Sequence, residues 1–102
     1  MAGEVYVAVS EGAVVDRGSG ALEEAVRDRL RLVERAPGFI GIEVLRDRRQ
    51  TGRYLMVSRW RSKAQFTAYM RSEDHRVSHA RIRSGPEAPT PAGFSDYDRL
   101  EI

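Results

Sequence analysis

Three runs of this chain alternate apolar and polar residues with period two, and a run with helical period separates the first two. Glu4-Val-Tyr-Val-Ala-Val-Ser10 sets Val5, Val7 and Val9 on one face and Tyr6, Ala8 and Ser10 on the other, so it reads as a strand. Gly12 to Gly20 reads as a loop, with Ser19 as a helix cap. Leu22, Val26, Leu30 and Val33 then recur at helical spacing, with charges on the opposite side, until Pro37-Gly38 stops the helix. Phe39–Leu45 is a second strand with Ile40, Ile42 and Val44 on one face, where Gly41 allows a bulge or a close approach. A polar loop over 47–52 leads to a third strand, Arg53–Trp60. Ser62-Lys-Ala-Gln65 has the form of a capping box and starts a helix carrying Phe66, Tyr69 and Met70 on one face. Ser72 is placed to cap a further short helix. A Pro-rich connector, Gly85 to Gly93, precedes a last strand, Phe94–Ile102.

The order β-α-β-β-α-(α)-β is that of an α+β, ferredoxin-like split βαβ domain spanning residues 1–102. Such a sheet carries its helices on one face and needs a cover for the other. In a chain of 102 residues a second copy of the same sheet is the economical cover, so a homodimer is expected.

Composition narrows the chemistry. There is no cysteine, which excludes disulfides, thiolate metal sites and a thiol nucleophile. Met1-Ala-Gly-Glu leads straight into a strand pattern, and no apolar run approaches bilayer length, so a soluble cytoplasmic protein with no membrane partner is expected. The net charge is only +2, yet from Arg46 to Arg83 eleven basic side chains face three acidic ones. That excess attracts carboxylates or phosphates, or is a solvated arginine surface; no nucleic-acid motif accompanies it, so no nucleic-acid partner is expected.

The only two histidines, His75 and His79, lie four apart in Ser72-Glu-Asp-His-Arg-Val-Ser-His-Ala-Arg-Ile82, one helical turn from each other. They follow Trp60, Phe66 and Tyr69, the densest aromatic stretch. Histidine beside aromatics and arginines suits a flat, anionic, metal-containing ligand; the plainer reading is a helix surface. Two histidines without a third donor make an incomplete zinc or copper site. Ser78 and His79 are adjacent on a helix and point apart, which argues against a hydrolase pair. Phe66, Tyr69 and Met70 form a stripe that serves as core, and a pocket in a small domain is cut from that core. Trp60 ends a strand, where core, dimer interface and ligand wall all remain open. Arg76 and Arg81 flank the histidines, as surface charge or as anion partners.

Pro37-Gly-Phe-Ile-Gly-Ile-Glu-Val-Leu45, Tyr54-Leu-Met-Val-Ser-Arg-Trp60, Ser62-Lys-Ala-Gln-Phe-Thr-Ala-Tyr69 and His79, in that order, resemble the antibiotic biosynthesis monooxygenase (ABM) domain superfamily. Within it, the likeness is to the IsdG-type haem-degrading monooxygenases. The resemblance implies a dimeric α+β barrel, two ferredoxin-like subunits packed sheet to sheet, each with a pocket between helices and sheet. It implies haem as cofactor, an external electron donor, and His79 as the iron ligand, with His75 as the fallback if the helix register differs. It places Trp60, Phe66, Tyr69, His75, Arg76 and Arg81 around the cofactor, the arginines toward its propionates. Tyr69 falls where that branch has a tryptophan pressing on the macrocycle. Ser10 falls near its asparagine, which bonds the distal ligand; this chain has no asparagine, and a serine hydroxyl still donates a hydrogen bond.

The first expectation is therefore a haem-binding monooxygenase that oxidises the bound macrocycle, with Ser10, Tyr69 and His79 as its catalytic residues. The second is the family's cofactor-independent chemistry on aromatic, polyketide-like phenols in antibiotic biosynthesis. The third is a non-catalytic dimer binding a small aromatic ligand.

Overall fold

The computed structural model describes residues 5–14, 18–27, 32–82 and 90–101. Strand β1 (Val5–Ala13) is followed by helix α1 (Gly18–Arg27) and a 3₁₀ turn (Leu32–Arg35). Strands β2 (Phe39–Arg46) and β3 (Arg53–Trp60) form a hairpin. Helices α2 (Lys63–Met70) and α3 (Glu73–Ile82) precede strand β4 (Thr90–Arg99). The sheet order is β2-β3-β1-β4 with every neighbouring pair antiparallel. β1 and β2 therefore run parallel with β3 between them, the expected ferredoxin-like split βαβ.

The pleat sorts the two faces. Tyr6, Ala8 and Ser10 stand opposite Trp60, Ser58 and Met56 of β3, and opposite Asp98, Asp96 and Phe94 of β4. This face meets the helices: Tyr6, Ala8, Val33 and Trp60 form the buried cluster, with Ala36, Phe39, Phe66 and Tyr69 packed on it. Trp60 is only 1% exposed. Phe39, Phe66 and Tyr69 surround its ring at 5.4, 5.7 and 5.5 Å. Its indole N–H donates to Ser58 Oγ at 3.0 Å, which removes the cost of burying an unpaired donor. The other face carries Val5, Val7, Val9, Leu55, Val57, Leu45 and Tyr97, with no described helix over it.

Three local readings need correction, and a fourth, at Gly41, resolves to one of its two alternatives. The β2–β3 register shifts between Phe39 and Gly41, so Phe39 joins Ile42 and Val44 on the helix side while Ile40 drops out of the pairing and is exposed. The packing of Phe39 on Trp60 accounts for this: an aromatic pair with the core indole outweighs the strict alternation that put Ile40 inside. The space around Gly41 is open, so its role is the bulge and not a close approach. β1 runs to Ala13 and α1 begins at Gly18, which shortens the glycine loop and places Ser19 inside the helix. β4 begins at Thr90, earlier than its apolar residues suggest, and accommodates Pro91 because it is an edge strand. Residues 28–31 of the long helix and 83–89 of the Pro-rich connector lie outside the described residues.

Gly38 turns the chain from the 3₁₀ turn into β2 at φ +85°. Its carbonyl accepts from Arg61 N at 2.8 Å, and a Cβ there would meet the Gln65 side chain at 2.2 Å. Gly38→Ala is expected to destabilise the fold by about 1–3 kcal/mol, read as a lower melting temperature and denaturation midpoint.

Candidate functional site

Two serines set the helices that carry the candidate residues. Ser62, in extended backbone, caps α2 by accepting from Gln65 N at 3.2 Å. The reciprocal half of the capping box differs from the sequence pattern, since the Ser62 hydroxyl itself donates to Gln65 Oε1. Ser72 joins α2 to α3: its hydroxyl donates to Tyr69 O at 2.6 Å and accepts from His75 N at 3.1 Å. The expected cap is thus present, and it couples the Tyr69 backbone to that of His75.

α3 carries both histidines and packs against α1, α2 and the 3₁₀ turn. Arg35 of that turn grips Asp74 with both arms of its guanidinium, Nε to Oδ2 at 2.9 Å and Nη2 to Oδ1 at 3.0 Å. The guanidinium holds the Asp74 carboxyl below its usual range. Asp74 and Glu73 also lie in the first turn of α3, where negative charge favours the helix.

Tyr69 is half-buried between Trp60 and His75, and the His75 ring meets its edge at 5.4 Å. Trp60, Tyr69 and His75 therefore form a ladder of rings from the core to α3. Burial raises the Tyr69 phenol above its ordinary value, and a hydrogen bond with Ser78 acts in the opposite direction. Phe66 lies one turn before Tyr69 on the same side, touching Tyr6, Trp60 and Phe94.

Ser10 projects from the helix side of β1, between Met56 and Phe94 in the register. It is exposed, and its hydroxyl has no hydrogen bond to another described residue. Arg76 is exposed and bound to Glu73 one turn earlier, with Nε to Oε1 at 3.1 Å and a second, closer contact from Nη2. Trp60 is too deep to touch a ligand directly and acts through Tyr69 and Phe66. The side chains of His79 and Arg81 lie outside the described residues; their backbone positions are on α3.

Sequence reasoning did not single out α1's attachment. Glu23 accepts from the Tyr54 hydroxyl at 2.7 Å and from Arg46 at 2.8 Å, tying α1 to β3 and β2. Tyr54 is 5% exposed, so its hydroxyl needs this partner. The cue was weak: Glu23 is one of six charges on a solvated helix face. Arg35 and Phe94 were missed for the same reason, being ordinary residues until the fold placed them.

Two open clefts, of about 440 and 450 Å³, lie elsewhere. The first is lined by Tyr6, Arg61, Ser62, Lys63, Asp96, Tyr97 and Asp98. There Tyr6 donates to Asp96 at 2.9 Å; burial first, and then Asp96, push its phenol up to about 12. The second surrounds Glu23, Arg46 and Tyr54. Neither is lined by α3.

Among the described residues, no group of three or more His, Asp or Glu side chains could hold a metal ion. One imidazole would suit a haem iron, because the macrocycle supplies the metal's remaining nitrogen donors. Among the described residues, no helix is long and apolar enough to cross a membrane.

The sequence pattern of the antibiotic biosynthesis monooxygenase family matches residues 8–81, and the chain belongs to that family. It is accordingly a monooxygenase by class. It is 35% identical over 85 residues to a mycobilin-producing haem oxygenase of Mycobacterium tuberculosis, covering 82% of this chain and 79% of that protein. The haem-degrading MhuD of Mycobacterium tuberculosis, solved with two haems in its active site, superposes with TM-score 0.69 at 23% identity, covering 95% of each chain. SnoaB, a cofactor-independent oxygenase from Streptomyces nogalater, superposes with TM-score 0.76 at 18% identity, covering 99% of this chain and 97% of that one. At those identities the two superpositions establish the fold.

The Glu23 latch gives a pH dependence. Its carboxyl is held below the usual value, first by Tyr54 and then by Arg46. A carboxyl lowered in the folded state contributes stability above its unfolded pKa and loses it as pH falls through the folded pKa. Melting temperature is therefore expected to drop as pH is lowered below about 4.3, the ordinary glutamate value, and Glu23→Gln should drop less steeply over the same range.

Proposed function

We propose that this chain is a haem-binding monooxygenase that oxidises the bound macrocycle with oxygen and electrons from an external donor. The observation that carries the reading is the placement of both histidines on α3, packed with α2 on the face of the sheet that also carries Ser10. The 35% identity to a haem oxygenase supports it.

Bound haem supplies the iron at which oxygen is activated and is itself the substrate. The chain's part is to hold, orient and shield it. His79 would bind its iron, with His75 as the alternative one turn earlier. Tyr69, backed by Trp60, presents a ring where the haem-degrading branch has a tryptophan, and the smaller ring presses less on the macrocycle. Ser10 Oγ–H would supply the hydrogen-bond donor that asparagine supplies in that branch. Arg76 and Arg81 pair with the propionates. Arg76 exchanges Glu73 for this, at little cost, because an exposed ion pair is worth ~1 kcal/mol or less.

The uncovered sheet face completes the proposal. Val5, Val7, Val9, Leu55 and Val57 give it an apolar stripe beside the Glu11–Arg53 and Glu43–Arg59 ion pairs, and a second copy packed sheet to sheet would bury it as a homodimer. A second reading, cofactor-independent oxidation of an aromatic phenol, is supported by an aromatic wall of Tyr69 and Phe66 that needs no metal to bind a planar substrate.

Titration of metal-free protein with ferric haem tests the first reading. A saturable Soret shift near about one haem per subunit is expected, lost in His79→Ala and kept in His75→Ala. An unchanged spectrum in His79→Ala overturns the ligand assignment. No saturable shift in the wild type overturns the haem reading, and oxygen uptake with an anthrone-type phenol in metal-free buffer then tests the second.

A further inference from the structure

Phe94 sits on an edge strand with its ring 53% exposed, although it lies on the helix side of the sheet. Its cross-strand neighbour is Ser10. Its ring stacks on Phe66 at 6.1 Å, within 14° of parallel. Phe66 in turn rests on Tyr6 at 5.3 Å and on Trp60 at 5.7 Å, so the exposed ring is backed by the core. Leaving one large face of phenylalanine in water forgoes part of the burial free energy that holds a small domain together. The core aromatics avoid this by tilted and edge contacts; Phe94 is nearly parallel to Phe66 but offset from it, and more than half of the residue stays exposed.

We propose that Phe94, backed by Phe66 and set beside Ser10, is a shelf on which the face of a porphyrin macrocycle stacks. The inference rests on the haem reading and assigns a binding residue that this reading did not contain. The stacking is between π faces and is independent of iron, whereas His79 acts only on the metal. The two contributions are therefore separable with a metal-free macrocycle.

The experiment compares fluorescence titrations with metal-free protoporphyrin IX and absorbance titrations with ferric haem. Wild type, Phe94→Ala, Phe94→Leu, Phe94→Tyr and His79→Ala are measured, with melting temperature and oligomeric state recorded for each. Phe94→Ala is expected to weaken both macrocycles about tenfold, the upper range for one aromatic stack. Phe94→Leu keeps apolar bulk without a π face and should lose affinity at an unchanged melting temperature, while Phe94→Tyr should bind as wild type does. His79→Ala should weaken haem and leave the metal-free macrocycle unaffected. If Phe94→Ala does not fold, Phe94→Leu carries the test alone. Wild-type affinity for metal-free protoporphyrin in Phe94→Leu and in any folded Phe94→Ala overturns the shelf and leaves the haem reading standing. A change in oligomeric state with unchanged affinity overturns it in favour of a second copy covering the ring. Binding of neither macrocycle by the wild type overturns both.

Discussion

The burial of one indole organises this molecule. Trp60 closes β3 and is enclosed by rings from β2, α2 and, through Tyr6, β1. Its N–H is satisfied two residues back by Ser58, so the cluster contains no polar defect at its centre. A buried tryptophan truncated to alanine typically costs about 3–5 kcal/mol, a large share of the stability of a domain this size. Trp60 also fixes the site: Tyr69 leans on it, the Tyr69 carbonyl anchors Ser72, and Ser72 anchors the first turn of the histidine helix. Three consecutive contacts therefore link the indole to α3.

Where local chemistry decides structure, the chain could be read directly. The period-two runs and the Ser62 and Ser72 caps depend on neighbours in sequence, and the strands and capped helices follow in the order they set, with the ends of β1 and β4 displaced. Where tertiary contact decides, reading failed. Strict alternation put Ile40 inside, but the fit of Phe39 against Trp60 introduced a bulge that no neighbour in sequence announces. Phe94 read as the first residue of the last strand, and its stack on Phe66 exists only once β4 lies beside β1. Arg35 and Asp74 are 39 residues apart, and nothing in either segment marks the other as its partner.

The site shows the same division. The histidine pair was legible because the chain has no others, and Tyr69 because it follows the capped turn. What the fold adds is context: Tyr69 as a rung between core and helix, Trp60 as its support, Ser10 exposed on the helix side of β1, Glu23 as the latch of α1. In the proposed reading, serine and tyrosine stand in place of asparagine and tryptophan. A hydroxyl still donates one hydrogen bond, and a phenol ring still presents a flat face.

The claim on which the account turns is that bound haem is consumed by the protein holding it. The most direct measurement is to add ascorbate to the haem-loaded protein in oxygenated buffer containing catalase, while following the Soret band and the mass of the extracted tetrapyrrole. The account predicts loss of the Soret band with recovery of an open-chain tetrapyrrole that has gained oxygen. A Soret band that persists, with intact haem extracted at the end, would contradict it and leave a protein that binds the macrocycle without oxidising it.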